Sequence, residues 1–86
     1  MRHRASQRFW PCYHRLPEDV RRLADRCHTL LQEEPRHPSL HLKKAGRFWS
    51  VRVGLHFRAL AVEDEGDLVW FWIGPHADYD RLVGYG

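Results

Sequence analysis

The chain has 86 residues, the size of one small domain near the lower limit for a core without metal or disulfide support. An apolar fraction of 43% and four tryptophans exclude an intrinsically disordered chain. The net charge of +3 is unevenly spread, because residues 1–44 hold ten Lys/Arg against five Asp/Glu, whereas residues 45–86 hold four against six. We therefore expect one domain over residues 1–86, with a basic N-terminal half that suits a polyanion.

Cysteine spacing and hydropathy indicate the cellular compartment in which the protein is expected. Cys12 and Cys27 form neither a disulfide framework nor a Cys-x-x-Cys zinc pattern, so we expect a reduced, cytoplasmic protein. No apolar run approaches membrane-spanning length, so no membrane association is expected. The histidines lack the spacing of metal ligands, and we predict no metal or other cofactor.

Two helices are predicted in the first third of the chain. Apolar residues recur at helical spacing over residues 20–31, with arginines on the opposite side, and Pro17 and Pro35 bound this segment. A shorter pattern of the same kind covers residues 9–16. We expect a helical hairpin joined at residues 16–17. The polar residues 1–6 that precede it suit a first strand that is either absent or short and polar.

The rest of the chain has the alternation typical of strands. Residues 40–43 predict a short charged edge strand, and residues 48–53 and 57–62 predict two further strands that alternate apolar with basic positions. Residues 68–73 are apolar throughout, as in a central strand covered on both faces. Residues 79–85 suggest a short terminal helix. The predicted fold is α+β, with an N-terminal helical hairpin packed on an antiparallel sheet of three to four strands and a short C-terminal helix.

The register of the two alternating strands places two arginines together. Joining their apolar faces requires a loop of odd length, most simply residues 54–56, and this loop sets Arg52 directly opposite Arg58. Like charges facing each other across a sheet cost stability. We therefore expect an anion, most simply a nucleic-acid phosphate, near this pair.

Four short segments occur in order over residues 8–83. They are Phe9-x-x-Cys-Tyr-x-x-Leu-Pro17, Pro35-x-x-Pro-Ser-Leu40, Val51-Arg-Val with Phe57-Arg-Ala, and Phe71-Trp-Ile-Gly-x-His-x-x-Tyr79. This ordered set resembles the RelE/ParE superfamily of type II toxins. The resemblance implies a cognate antitoxin as partner and one of two activities. These are ribosome-associated mRNA cleavage, as in the RelE branch, or poisoning of DNA gyrase, as in the ParE branch.

The resemblance also implies site residues. RelE-like ribonucleases have basic residues at the positions of Ser50 and Arg52, an arginine at Arg58, and a basic residue at His76. This chain matches at Arg52, Arg58 and His76, which are the predicted catalytic residues, and departs at Ser50. The tyrosine that stacks on the substrate base in those enzymes has only displaced counterparts here. The predicted RNA contacts are Lys43, Lys44, Tyr79 and Arg81.

The chemistry of RNA cleavage by a 2′-hydroxyl matches these residue types. The reaction needs a base for the hydroxyl proton, cations for the charged phosphorane, and an acid for the 5′-oxygen. Arginine is almost always charged and suits the stabilising role, whereas His76 can exchange a proton near neutral pH. Lys43 or His41 would supply the second proton-transfer group. The resulting hypothesis is a metal-independent mRNA endoribonuclease.

Other roles for the same residues stay open at this point. Arg58 could form a structural ion pair with Glu63 or Asp78, and His76 could serve as a helix cap. Tyr79 could be a core residue. The whole chain could then be a non-catalytic binding module that uses its basic sheet face, with a homodimer as one way of covering an open sheet edge.

Overall fold

A computed structural model describes residues 2–84. The elements follow in the order β1 (His3–Ala5), α1 (Phe9–His14), α2 (Glu18–Glu33), β2 (Lys43–Ala45), β3 (Phe48–Val53), β4 (Phe57–Asp64), β5 (Asp67–Pro75) and α3 (His76–Gly84). A 3₁₀ helix at Pro38–Leu40 links α2 to β2. The predicted α+β class is confirmed, and the predicted terminal helix corresponds to α3, with Tyr85 outside the described residues.

The sheet is larger than the predicted three to four antiparallel strands. Five strands lie in the order β1-β5-β4-β3-β2. β1 pairs with β5 in parallel, and the other neighbours are antiparallel, so the sheet is mixed. β1 is the short, polar alternative for the first strand. It has no apolar alternation to reveal it. Its parallel pairing with β5 holds it at the sheet edge, where the exposed Arg4 side chain contacts Asp64 at 3.2 Å and Asp67 at 3.4 Å.

The main core lies between one face of the sheet and the helices α1 and α2. Val20 and Leu31 of α2 pack there against Val51, Val53 and Ala59 of the sheet. Pro17 precedes α2. The acidic side chains of Glu18 and Asp19 lie in its first turn, where they interact favourably with the positive end of the helix dipole. α1 has six residues and α2 has sixteen, and the Tyr13 hydroxyl of α1 donates a hydrogen bond to Asp25 of α2 at 2.8 Å.

The predicted edge strand over residues 40–43 is wrong at its start. Residues 38–40 form the 3₁₀ helix, in which the His37 ring accepts a hydrogen bond from the Ser39 backbone N–H at 3.2 Å. His41 has a φ of 46°, which interrupts an extended backbone. Leu40 is the last residue of the 3₁₀ helix and is fully buried in the core. Its apolar alternation with Leu42 therefore does not mark a strand.

A bulge explains the unbroken apolar run of β5. Leu60 of β4 lies opposite Trp72, whereas the adjacent Ala61 lies opposite Trp70, which leaves Phe71 as an extra residue. The shift places Trp70 and Ile73 on the helix side, in the core. β5 is flanked by β1 and β4 and covered on both faces, as the run predicted.

Candidate functional site

The candidate site lies on the sheet face opposite α1 and α2, which α3 covers. We call this surface the α3 face. It carries Ser50 and Arg52 of β3, Arg58 and Leu60 of β4, and Trp72 and Gly74 of β5. A Cβ at Gly74 would lie 2.6 Å from the Trp72 ring, so glycine allows this indole to lie against the strand beside Arg58.

The two arginines of β3 and β4 are cross-strand partners. Arg52 pairs with Arg58 in the observed register, with residues 54–56 as the connecting loop. Gly54 takes a φ of 67° in this loop and lies close to Leu23 of α2. The predicted register is confirmed, and two cationic side chains leave the same face of the sheet at neighbouring positions.

Arg58 is a buried cation that has no acidic partner within the described part of the chain. Its residue surface is 8% exposed, and Nε and Nη1 have no hydrogen-bond partner within residues 2–84. Buried charges in proteins are normally paired, because leaving water is costly for an ion. An unpaired guanidinium with free N–H donors is therefore a strong indication of an anion site.

The acidic residues proposed as structural partners of Arg58 are engaged elsewhere. Glu63 accepts a hydrogen bond from Trp49 Nε1 at 2.6 Å. Asp78 forms an ion pair with Arg81 within α3. The structural ion pair considered from the sequence is therefore not formed among the described residues.

Tyr79 of α3 packs over Arg58 and Ser50 on the α3 face. Tyr79 is 6% exposed, and the guanidinium carbon of Arg58 lies 5.1 Å from the ring centroid, within cation–π range. Its hydroxyl donates a long hydrogen bond to Ser50 Oγ at 3.4 Å. In this conformation the ring packs on the sheet and is not open to stack on a base.

His76 lies at the end of β5 and begins α3. Its backbone N–H donates to the His56 carbonyl at 2.8 Å, which fixes the start of α3 against the β3–β4 loop. Its Nδ1 is 3.1 Å from the carboxylate of Asp80, and its ring centroid is 5.6 Å from that of Tyr79. Such a contact orients the imidazole and leaves Nε2 available for proton transfer.

Sequence reasoning did not identify Asp80. Its signal is the i, i+4 spacing from His76, which places both side chains on one side of a helix. That spacing has meaning only once a helix is known to begin at His76. The Gly-Pro that precedes it more readily suggests a turn.

The predicted RNA contacts divide between two faces. Lys43 lies opposite Ser50, so it shares the α3 face, whereas Lys44 lies opposite Trp49 on the helix side. Arg81 is exposed and paired with Asp78. Ser50, Arg52, Arg58, Tyr79 and His76 are thus brought together with Lys43, and Lys44 and Arg81 are not part of that cluster.

The groups with shifted pKa values lie away from the α3 face. Burial, followed by the nearby charge of His28, lowers the pKa of His3 in β1. Burial raises the pKa of the Cys27 thiol, which contacts the Arg52 carbonyl at 3.5 Å. A hydrogen bond to Asp25 raises the pKa of Tyr13. Residues 2–84 contain no group of three or more His, Cys, Asp or Glu residues suited to a metal.

No protein-family model and no curated protein match the sequence. Among solved structures, the RelE–RelB complex from Methanococcus jannaschii matches with a TM-score of 0.71 and 14% identity over 91% of this chain and 96% of the other. YafQ from E. coli gives a TM-score of 0.68 and 14% identity over 92% and 98% of the two chains.

A third match covers nearly the whole chain. A mutant of the E. coli toxin RelE in its free state gives a TM-score of 0.65 and 12% identity, over 98% of this chain and 93% of the other. The chain has the RelE toxin fold. At this level of identity the RelE fold is what the likeness establishes, and the residues of the α3 face provide the evidence about activity. No helix in the described part is both long and apolar enough to span a membrane.

Proposed function

We propose that this chain is the toxin of a type II toxin–antitoxin system and that it cleaves mRNA at the ribosome, without a metal, on the α3 face. The Arg58 guanidinium supports this proposal most directly, because it is buried beside Arg52 and its Nε and Nη1 have no hydrogen-bond partner among residues 2–84. A phosphodiester provides the anionic oxygens that these donors lack. Solved structures of the same fold, which include RelE and YafQ, support the assignment to this class of toxin.

Each residue of the cluster has a role in this reaction. Arg58 and Arg52 bind the scissile phosphate and stabilise the charge of the phosphorane, which arginine does without gaining or losing a proton. His76, oriented by Asp80, transfers a proton at Nε2. Tyr79 holds Arg58 in position through the cation–π contact, and it is the proposed aromatic contact to the RNA.

Lys43 compensates for the departure at Ser50. The RelE-like pattern implies a cation at the position of Ser50, and this chain has instead a fully buried serine there. The cross-strand partner of Ser50 is Lys43, whose exposed ammonium group projects from the same face. The cation thus comes from the neighbouring strand, where it can supply the second proton-transfer group.

The proposed partner is a cognate antitoxin. Toxins of similar fold have been solved in complexes named RelB–RelE from M. jannaschii and RelBE from E. coli. Both edge strands, β1 and β2, are three residues long and leave backbone groups available for an added strand. An acidic antitoxin segment suits the basic N-terminal half, and a second copy of the chain is the alternative occupant of an edge. We expect the protein to act in the cytoplasm.

A non-catalytic role is the second candidate. The burial of Tyr79 and the serine in place of a basic residue at position 50 favour a module that binds its target without cleaving RNA. DNA gyrase, the target in the ParE branch, is one such target. Under this alternative, Arg58 would contact an acidic group of a protein partner. DNA damage signalling with intact mRNA would support it.

Growth of a bacterial host tests the toxin assignment. Induced expression should arrest growth, and co-expression of a small antitoxin encoded beside the gene should restore it. Arg58→Ala should abolish the arrest, since removal of such a transition-state contact costs about a hundredfold or more in rate. Normal growth at verified soluble expression of the wild-type chain would contradict the assignment.

A further inference from the structure

We propose that Phe48 and Phe71 form a platform on which a base of single-stranded RNA stacks. This inference rests on the proposed function, because it assigns a nucleotide subsite to the sheet surface that carries the arginines. The two rings lie with their centroids 5.3 Å apart and their planes at 55°. Both residues are half-buried, so part of the pair remains accessible to a ligand.

Alternation along β3 places Phe48 on the α3 face. Phe48, Ser50 and Arg52 occupy alternate positions of this strand, and Ser50 contacts Tyr79 of α3. Because a strand rises by about 3.3 Å per residue, the backbone of Phe48 lies about 7 Å from Ser50 and about 13 Å from Arg52. The rings and the cations therefore belong to one continuous surface, which a few nucleotides can cover.

The bulge in β5 brings Phe71 to the same surface. A regular strand directs consecutive side chains to opposite faces. Here Trp72 is paired with Leu60 on the α3 face, and the preceding Phe71, which is the extra residue of the bulge, contacts Phe48. Two adjacent aromatic residues thus lie on one face. Bulges commonly re-aim a side chain in this way beside functional sites.

The Phe48–Phe71 pair is separate from the main core. Two other half-buried aromatic residues of the sheet, Trp49 and Phe57, pack against that core from the helix side. Among the residues that the structure describes, neither Phe48 nor Phe71 belongs to the core or to the apolar residues packed on it. Grouped apolar rings on a charged surface are typical of a binding site.

The charges beside the pair favour RNA as the occupant over an apolar protein segment. Lys43 is exposed on the neighbouring strand opposite Ser50, and no ion pair within residues 2–84 involves Lys43 or Arg52. Proteins that bind single-stranded RNA combine such a row of cations with aromatic rings that stack on bases. The acidic turn at residues 63–67 lies at the end of the sheet away from Arg52. The RNA should therefore run from the rings toward the arginines.

Binding of an RNA that cannot be cleaved tests the platform. The probe is a short, fluorophore-labelled 2′-O-methyl oligoadenylate, which lacks the 2′-hydroxyl nucleophile, and fluorescence anisotropy gives its affinity for the full-length protein. Phe71→Leu keeps an apolar side chain in the strand and removes the ring. It should weaken binding about tenfold, as expected for loss of one base–aromatic stack.

A matched probe and a matched variant separate stacking from other effects. An abasic oligomer of the same length keeps the phosphates and lacks the bases, so the wild type and Phe71→Leu should bind it equally. Phe57→Leu removes a half-buried ring from the opposite face of the sheet and should leave oligoadenylate affinity unchanged. Thermal melting shows whether each variant is folded.

Two further measurements keep the test decisive if Phe71→Leu does not fold. Phe48→Leu removes the other ring and should weaken oligoadenylate binding to a similar extent. In the wild-type chain, the ring protons of both phenylalanines should shift on addition of the oligoadenylate and stay in place on addition of the abasic oligomer.

Three results would overturn the platform. They are equal oligoadenylate affinity in the wild type and both leucine variants, an equal loss of affinity for the abasic oligomer, and no oligoadenylate binding by the wild type. Unchanged RNA affinity in Phe71→Leu with lost antitoxin binding would assign the pair to a protein partner instead.

The ribonuclease and the platform can fail separately. Cleavage of mRNA by a chain whose leucine variants bind RNA normally would reject the platform and retain the ribonuclease. Stacking on a wild-type chain that leaves mRNA intact would retain the platform and reject the ribonuclease.

Discussion

Arg58 is the residue at which stability and the proposed activity place opposite demands. Its guanidinium is buried with two unpartnered nitrogen atoms, and the cross-strand residue is another arginine. Isolated ions lose hydration on burial, and an apolar side chain of similar volume is often better tolerated. Retention of arginine in such surroundings is expected where binding of an anion offsets the cost.

Arg58→Met should separate these two effects. We expect the free energy of unfolding to stay unchanged or to rise by about 1–3 kcal/mol, because a buried unpaired charge is replaced by an apolar chain. Toxicity should be lost. Urea denaturation gives the first quantity, and Arg47→Met, at an exposed turn position, is the control that should stay within about 0.5 kcal/mol of the wild type. Destabilisation of Arg58→Met well beyond that control would make Arg58 a structural residue.

His76 and Asp80 form the proposed proton-transfer pair at the start of α3. His76→Gln keeps a hydrogen-bonding side chain but cannot transfer a proton, so cleavage should slow about a hundredfold or more with little change in RNA binding. Asp80→Asn removes the carboxylate that orients the ring at 3.1 Å and should cause a smaller loss. Single-turnover cleavage of an mRNA on ribosomes measures both rates. Wild-type rates in both variants would leave His76 as the start of a helix and favour the binding-module alternative.

At the scale of elements, the sequence is informative wherever its periodicity reflects a single buried face. Strands β3 and β4, with the facing arginines, follow directly from alternation and an odd loop. The polar residues 1–6 leave the first strand undecided, because β1 pairs with β5 as an edge strand and His3 and Arg4 give it no apolar alternation. The pattern does not predict the 3₁₀ helix, because the buried Leu40 imitates strand alternation.

The site could be predicted in part for the same reason. Register brings Arg52 and Arg58 together, and this needs only local pattern. The burial of Arg58 beneath Tyr79 depends on where α3 docks, and nothing in the alternation of the strands determines that. The contribution of Lys43 depends on the partner of Ser50, which follows from the true start of β2.

β1 should be the element most sensitive to acid. His3 Nδ1 accepts a hydrogen bond from Trp70 Nε1 at 3.1 Å, and burial lowers its pKa below the ordinary value of 6.5. The unfolded chain therefore takes up this proton first as the pH falls. The contribution of His3 to stability is complete above pH 6.5, the unfolded value, and is lost as the pH falls through it toward the lower folded pKa.

Urea unfolding at a series of pH values checks this dependence. His3→Leu cannot titrate and should show a shallower loss of stability on acidification than the wild type. Exchange of the Ser6 amide, which donates to the Trp70 carbonyl at 2.9 Å, should report the release of β1. Parallel pH profiles for the two proteins would show that the remaining titratable groups account for the acid sensitivity.

At the scale of the whole molecule, the fold places two kinds of surface on opposite sides of one thin sheet. The helix side holds the main core, whereas the α3 face holds a charged cluster beneath a short helix. A domain of 86 residues has little stability to spare, and a cluster of cations reduces it further. A partner that supplies negative charge or covers an open edge should therefore stabilise the protein as well as neutralise it.

We propose that the α3 face cleaves mRNA through Arg58. The most direct measurement is mapping of 5′ ends on an mRNA translated in a reconstituted system with purified protein. The wild-type chain should produce new ends within the coding region, and Arg58→Ala should reduce their rate of formation by about a hundredfold or more. Intact mRNA with a wild-type chain that arrests growth and traps gyrase–DNA complexes would contradict the claim.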